Sequence, residues 1–200
     1  MNVRVRLSPE ETRAQILHVA EEQYRRVGHA KTAVADIAAV LGMSSANIYR
    51  FFASKAAIND AICRGVFAEG EAMIEAVVAA RKPAPVRLAG MILGIHRFNR
   101  ARLTEERRMH DMVEAAMSEG WSAIEAHRAA VKDAFARVIA EGISDGAFDP
   151  ALDPLEAGET VFDLCVGLFH PTLIDQGAGK DQDAEARRVT AYVLRALRAI

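Results

Sequence analysis

The sequence is poor in cysteine and in long apolar runs, and each shortage excludes a class of protein. Among its 200 residues only Cys63 and Cys165 are cysteines, which gives neither a disulfide framework nor the paired spacing of a zinc site. The most apolar short run, residues 88–95, is far too short to span a bilayer. The N-terminus lacks the apolar segment of a signal peptide. We therefore expect a cytoplasmic protein with no membrane association.

Net charge is also small, at −2, which excludes a uniformly polybasic binder of nucleic acid. The charge is unevenly spread, however. Residues 1–64 carry nine Lys and Arg against six Asp and Glu, whereas residues 65–200 carry sixteen against twenty-one. A basic first third followed by an acidic remainder is typical of a protein whose N-terminal part binds DNA and whose remaining part does not contact DNA.

The stretch from residue 32 to residue 55 predicts two short helices joined by a tight turn. Apolar residues recur at the spacing of one helix face at Val34, Ile37, Ala38 and Leu41. Gly42 follows at once and can adopt the left-handed conformation that closes a helix. Ser44 can then cap a second helix through its hydroxyl.

On that second helix Ile48 and Phe52 lie four residues apart and are predicted to point inward. The outward positions carry small and polar residues, an aromatic hydroxyl and an arginine, at Ser45, Ala46, Asn47, Tyr49 and Arg50. A short exposed helix of this kind suits a DNA major groove, although a helical hairpin in any all-helical protein has the same spacing. Ser54 caps a further helix, with Lys55 in its first turn. A cation is unfavourable at this end of a helix and an anion such as a phosphate would offset that, although many helices carry a lysine there harmlessly.

The rest of the chain reads as helical throughout, including one helix over residues 155–174 that Pro171 interrupts near its end. We therefore predict an all-α fold, with a three-helix helix-turn-helix domain at residues 1–53 and a larger helical domain at residues 54–200. Two wide apolar stripes near the C-terminus predict a four-helix dimer interface, unless they are ordinary core. These stripes contain Val161, Leu164, Leu168, Val189, Tyr192, Val193 and Leu197.

The middle helices are rich in methionine and phenylalanine and hold the single tryptophan, so they can line a cavity for an irregular ligand. The candidate lining residues are Met91, Ile95, Phe98, Met112, Met117, Trp121 and Phe169. Polar side chains are sparse on these faces. We therefore expect a hydrophobic or aromatic effector.

Four histidines in the same region raise the question of a metal or a catalytic site, namely His96, His110, His127 and His170. None of them pairs at four-residue spacing with another histidine or a cysteine, as a zinc site on a helix requires. A nucleophile elbow and a Gly-rich phosphate loop are also lacking. We predict no bound metal, no cofactor and no enzymatic activity.

The order of helix, short helix, turn, short helix and capped fourth helix resembles the TetR-like transcriptional regulators, of the tetracycline-repressor and AcrR type. The resemblance is densest at Ile37-Ala38, Leu41-Gly42-Met43-Ser44, Ile48-Tyr49, Phe51-Phe52 and Ser54-Lys55. It implies that Thr32, Tyr49 and Lys55 contact the DNA backbone. It also implies that bases are read by Ser44, Ser45, Ala46 and Asn47. Asparagine departs from the commoner threonine or alanine at position 47 and can bond adenine in a bidentate way, so we expect Asn47 to contribute to operator choice.

The resemblance further implies a homodimer that binds the palindromic half-sites of an operator in double-stranded DNA. We expect a repressor that a small-molecule effector releases from this operator. The alternative is a helical module that binds a small molecule or a protein and whose DNA-binding face is vestigial. A binding selection that enriched no specific duplex would favour that alternative.

Overall fold

The computed structural model describes residues 7–105 and 107–199. All regular secondary structure in these two ranges is helical, which confirms the predicted fold class. No helix within them has the length and apolar character needed to cross a membrane. In chain order the helices are α1 (Pro9–Val27), α2 (Val34–Val40), α3 (Ser45–Tyr49), α4 (Lys55–Val78), α5 (Ala84–Glu105), α6 (Arg107–Glu119), α7 (Ser122–Ser144), α8 (Pro154–Leu164), α9 (Val166–Phe169), α10 (Pro171–Gln176) and α11 (Gln182–Ala196).

The chain divides into two compact units. The first contains the described residues up to Gly65 together with residues 107–124, and the second contains residues 66–105 and 125–199. Helices α4 and α7 each begin in the first unit and end in the second. Helix α6 belongs to the first unit, where it packs against α1. The division of function at residue 53 remains a prediction.

Helix α1 belongs to the first unit, and capping residues define both of its ends. Ser8 and Glu11 form a reciprocal capping box at its start, and Gly28 ends it with a φ of +93°. Its buried face includes Ile16 and Tyr24. The Tyr24 hydroxyl donates a hydrogen bond of 2.5 Å to the Asn59 side-chain oxygen, so α1 is tied directly to α4.

The apolar core of the second unit is formed by the end of α4, by α5 and α7, and by the helices that follow, and the buried polar residues of this unit include Arg87 and His96. Its largest fully buried side chains include Leu88, Met91, Ile92, Phe135 and Ile139. Helices α7 and α8 approach most closely at Gly158. A Cβ atom there would lie 2.8 Å from the Ala136 amide nitrogen and 2.9 Å from the Lys132 carbonyl oxygen, so this contact requires glycine.

The structure has the predicted interruption before Pro171, but the prediction of one continuous helix from residue 155 up to that point is wrong, because the chain also breaks at Cys165. Helix α8 ends before Cys165, and His170 is extended with φ −73° and ψ 122°. The second break follows from Pro171, since a residue before proline is pushed out of the helical region. Side chains of α5 bond the carbonyls exposed there: His96 Nδ1 lies 3.0 Å from the Leu168 oxygen, and Asn99 Nδ2 donates to the Phe169 oxygen at 2.9 Å.

Candidate nucleic-acid interface

The turn between α2 and α3 has the geometry that the sequence predicts. Gly42 adopts a φ of +64°, which closes α2 in the left-handed conformation. Ser44 then caps α3, because its hydroxyl oxygen accepts the amide of Asn47 at 3.2 Å. These two residues fix where α3 begins and in which direction it leaves the turn.

Helix α3 has one buried face and one open face. Ile48 and Phe52 are buried in the first unit, as predicted. Ala46, Tyr49 and Arg50 are exposed, with 48% of Tyr49 open to solvent, and Ser44 before the helix is exposed as well. The remaining predicted base-reading residues, Ser45 and Asn47, are half-buried. The helix therefore presents a short polar surface of the kind that enters a major groove.

Arg13 of α1 contacts the turn that follows the C-terminal end of this helix. Its guanidinium donates a hydrogen bond of 2.6 Å to the Phe51 carbonyl, and its central carbon lies 4.0 Å from the centroid of the Phe52 ring. A cation is favourable at this position because the C-terminal end of a helix carries a partial negative charge. The sequence contains no local signal for the contact, since the two residues are 38 positions apart.

Lys55 begins α4 and is held by the loop that precedes α2. Its ammonium donates a hydrogen bond of 2.7 Å to the His29 carbonyl oxygen. Ser54 caps the same helix, accepting the amide of Ala57 at 3.1 Å. The Lys55 side chain is half-buried and its charge is fixed at the helix N-terminus, where the positive end of the helix dipole favours an anion nearby.

The imidazole of His29 lies edge-on to two aromatic rings. The centroid distance is 6.3 Å to Tyr24 and 6.2 Å to Trp121, which follows α6. Burial and the nearby Lys55 ammonium lower the pKa of His29, outweighing carboxylates of α6 that act in the opposite direction. The ring is therefore neutral at pH 7 and adds no second positive charge beside Lys55.

Thr32 is buried, with only 2% of the residue exposed. Its hydroxyl donates a hydrogen bond of 3.0 Å to the Gly28 carbonyl, which closes the loop between α1 and α2. The structure thus gives Thr32 a role in the loop that the sequence did not indicate. The phosphate contact implied for this residue stays a prediction.

Asp60 of α4 caps a second helix. Its carboxylate accepts the Ala123 amide at 2.8 Å and the Ser122 hydroxyl at 3.0 Å, both in the first turn of α7. Arg64 bonds the same carboxylate at 2.9 Å. Burial acts to raise the pKa of Asp60, but the hydrogen bonds from Ala123, Arg64 and Ser122 outweigh it and hold the pKa below its usual value. Sequence reasoning missed this contact.

The residues predicted to line an effector cavity are distributed over both compact units. Met112, Met117 and Trp121 belong to the first unit. The others belong to the second unit, and they are Met91, Ile95, Phe98 and Phe169. Most of the second group lies in the apolar core, and Phe98 packs against the α4 position held by Gly70.

A separate open groove of about 460 Å³ lies between α7 and α8. Its walls carry charges of both signs, and its lining residues are Glu125, Arg128, Ala129, Lys132, Asp133, Ala136, Leu155 and Glu159. The cationic groups of Arg128 and Lys132 lie 5.7 Å and 5.6 Å from the Phe162 ring centroid. This charged groove differs in chemistry from the apolar effector site that the sequence predicts.

The predicted dimer stripes separate into a buried part and an exposed part. Val161, Leu168, Val193 and Leu197 belong to the core of the second unit. Val189 is half-buried. Leu164 and Tyr192 are 60% and 65% exposed, respectively. Each of these two side chains exposes apolar surface, Leu164 on α8 and Tyr192 on α11.

The contacts that the structure gives the candidate histidines and the two cysteines are structural ones, not those of metal ligands or reactive groups. Within the ranges that the structure describes, no group of three or more His, Cys, Asp or Glu is arranged to hold a metal ion. His127 bonds Glu71 at 2.9 Å and stacks on Phe67, whereas the His110 side chain lies outside the described residues. Burial raises the pKa of Cys63 and of Cys165 to about 12, so both thiols stay protonated and unreactive.

Two family models match the chain. Residues 16–62 match the model described as "Bacterial regulatory proteins, tetR family", and residues 84–190 match "Tetracyclin repressor-like, C-terminal domain". The chain belongs to the TetR family. It is therefore a ligand-responsive, DNA-binding transcriptional regulator of the repressor type, with its helix-turn-helix at α2 and α3.

Solved structures of TetR-type regulators share this fold. The FadR structure from Bacillus subtilis in complex with stearoyl-CoA is 18% identical, covers 90% of this chain and 97% of its own, and has a TM-score of 0.67. NalD of Pseudomonas aeruginosa, the secondary repressor of the MexAB-OprM efflux pump, is 21% identical, with coverages of 96% and 98% and a TM-score of 0.65. A comparison with curated proteins found no match.

Proposed function

We propose that this TetR-family regulator is a homodimeric repressor that binds a palindromic operator through α3 and is released by a hydrophobic or aromatic effector. The observation that carries the proposal is the open face of α3. This helix is capped by Ser44, is anchored by Ile48 and Phe52, and leaves its polar face free. We propose that it acts in the cytoplasm and without catalysis.

Contacts with DNA divide by chemistry into two groups. Tyr49 and Lys55 bind phosphates and set the affinity and its salt dependence, with Thr32 as a third candidate. The residues from Ser44 to Asn47 read base edges and set the sequence preference. Support for this division comes from the exposed phenol of Tyr49 and from the Lys55 ammonium, which lies at the start of α4.

Dimerisation supplies the second half-site. Leu164 and Tyr192 expose apolar surface on two helices of the second unit, and a two-fold axis would bring these helices against the same pair in a second copy. The two recognition helices would then lie about 34 Å apart, or a small multiple of that distance, along the operator. A ligand that moved α4 would change this spacing, since α4 runs from Lys55 into the second unit.

The apolar character of the effector follows from the core of the second unit. Met91, Ile95 and Phe169 are apolar and belong to this core. His96 Nδ1 and the half-buried Asn99 bond backbone carbonyls, whereas the buried His96 Nε2 and His170 Nδ1 make no hydrogen bond to the part of the chain that the structure describes. Apolar side chains thus predominate there, which favours an apolar ligand. FadR of Bacillus subtilis, which was solved with stearoyl-CoA, supports a hydrophobic class of effector.

Selection of bound DNA tests the proposal directly. The purified chain would be incubated with random duplexes, and the retained sequences would be amplified and read. We expect one inverted repeat to be enriched, and we expect acyl-CoA or aromatic compounds that raise the melting temperature to release it. If no duplex were enriched, the alternative of a binding module with a vestigial DNA face would be favoured.

A further inference from the structure

Helix α3 has only five residues, which is too few for a stable helix without support from its surroundings. Its N-terminal end is fixed by the Ser44 cap, and its buried face is fixed by Ile48 and Phe52. At its C-terminal end the chain continues into a turn, in which the Asn47 carbonyl accepts the amide of Arg50 and the Ile48 carbonyl accepts the amides of Phe51 and Phe52. Control of this end decides how the open face is oriented.

Arg13 of α1 holds the turn that directly follows α3. Its guanidinium bonds the Phe51 carbonyl at 2.6 Å and stacks at 4.0 Å over Phe52, so one side chain holds both the backbone and the buried anchor of the turn. Helix α1 is a firm support, since Ile16, one turn along, is fully buried. A planar guanidinium suits this double contact because it can donate in its plane while an aromatic ring packs against its face.

We propose that Arg13 is a positioning residue for the recognition helix. It holds the turn that follows α3, at the end of the helix opposite to the base-reading residues, and thereby sets affinity for a specific operator, although it does not itself contact DNA. The inference rests on the proposed binding of DNA through α3. Loss of Arg13 lowers the fraction of molecules in which α3 is correctly oriented, and the apparent affinity falls by the same factor.

The rival role for an exposed arginine in this unit is a phosphate contact, and salt dependence separates the two. A phosphate contact adds about one unit to the slope of log K against log salt and strengthens binding to every duplex. A positioning contact leaves that slope unchanged and strengthens only the binding that depends on base readout. The measurement therefore needs one selected operator, one unrelated duplex and several salt concentrations.

The experiment compares R13A and R13K with R26A in the full chain. Arg26 is a matched control, because it is an exposed arginine of the same helix whose guanidinium bonds Gln23 within α1. We expect R13A to bind the selected operator about tenfold more weakly, with unchanged slope and unchanged affinity for the unrelated duplex. R13K should recover part of the loss, since lysine keeps the charge but not the planar fork. R26A should bind like the parent chain.

Amide hydrogen exchange tests the same inference without DNA. We expect R13A to increase exchange in residues 45–53, and we expect R26A to leave it unchanged. Equal losses on both duplexes with a shallower slope would overturn the inference in favour of a phosphate contact. Unchanged exchange in residues 45–53 would overturn it even if the parent chain selected no operator, an outcome that would count separately against the proposed function.

Discussion

The carboxylate of Asp60 on α4 accepts the backbone amide of Ala123 on α7 at 2.8 Å. A helix usually takes its N-terminal cap from the residue just before it, but α7 takes one from a residue 63 positions away. The bond is reinforced by Ser122 and Arg64, so α4 and the beginning of α7 are held together by one polar cluster. A movement of the start of α7 would therefore also displace α4, the helix that begins at Lys55.

We expect D60A to lower the free energy of unfolding by about 1–2 kcal/mol, the usual cost of a lost helix cap. D60N should cost less, because its amide oxygen can still accept the Ala123 hydrogen. Urea unfolding at pH 7 measures both values. An exposed carboxylate of α8, Asp163, offers a control, and D163N should change the stability little. Equal stability of D60A and D163N would contradict the capping role.

The same contact predicts a pH dependence. The pKa of Asp60 is lowered from 3.8 in the folded chain, so its stabilising effect is complete above that value and is lost as the pH falls through the folded pKa. The difference in unfolding free energy between the parent chain and D60N should therefore persist at pH 5 and shrink below pH 4. A difference that stayed constant down to pH 2.5 would show that the charge of Asp60 is unimportant.

Lys55→Ala should weaken binding to operator and unrelated duplexes alike. The reason is the loss of one phosphate contact, which should also reduce the salt slope by about one unit. Titrations at several salt concentrations measure both quantities. Lys82→Ala removes an exposed lysine of the second unit and should change neither. A change in the preferred sequence after Lys55→Ala would contradict the assignment to phosphate.

Asn47→Ala should change which operator the chain prefers. The side-chain amide can bond adenine N6 and N7 together, and discrimination of this kind is worth about 1–3 kcal/mol at one base pair. In the free chain the amide nitrogen lies 3.7 Å from the Met43 sulfur, a weak contact that DNA can replace. Repeating the selection with the variant checks the prediction. An unchanged consensus would mean that Asn47 does not read a base.

Leu164→Glu and Tyr192→Glu should each convert a dimer into a monomer. Both side chains are mostly exposed in the single chain, so a charge there should not unfold the second unit but should oppose burial between two copies. Light scattering at micromolar concentration measures the mass, and operator affinity should fall with it. Val86→Glu places the same charge on an exposed apolar residue of α5 as a control. A parent chain that is already monomeric would contradict the predicted interface.

Local chemistry made the helix-turn-helix predictable. Gly42 and Ser44 act through their own backbone and through residues one turn away, and the burial of Ile48 and Phe52 follows from their four-residue spacing. A single sequence is sufficient for the turn because the atoms that interact with Gly42 and Ser44 belong to neighbouring residues, and four-residue spacing is sufficient to show which face of α3 is buried.

Contacts across long separations were not predictable. Nothing around Arg13 shows that it will lie beside Phe51, and nothing around Asp60 shows that it will meet Ala123. The break at Cys165 was missed for a related reason, since cysteine carries no strong helix-breaking chemistry. The apolar stripes near the C-terminus showed which side chains avoid water, but periodicity does not reveal which neighbour covers them.

The glycine contact between α7 and α8 has a mechanical consequence. At Gly158 the backbone of one helix rests on the backbone of the other, beside Ala136, with no flexible side chain between them to absorb a displacement. Layers of side chains can repack when helices slide past each other. Two backbones in direct contact cannot repack in this way, so a displacement of one helix is passed on to the other. We therefore expect α7 and α8 to move together at this contact. A shift of α7 would then also move the surface of α8 on which Leu164 is exposed.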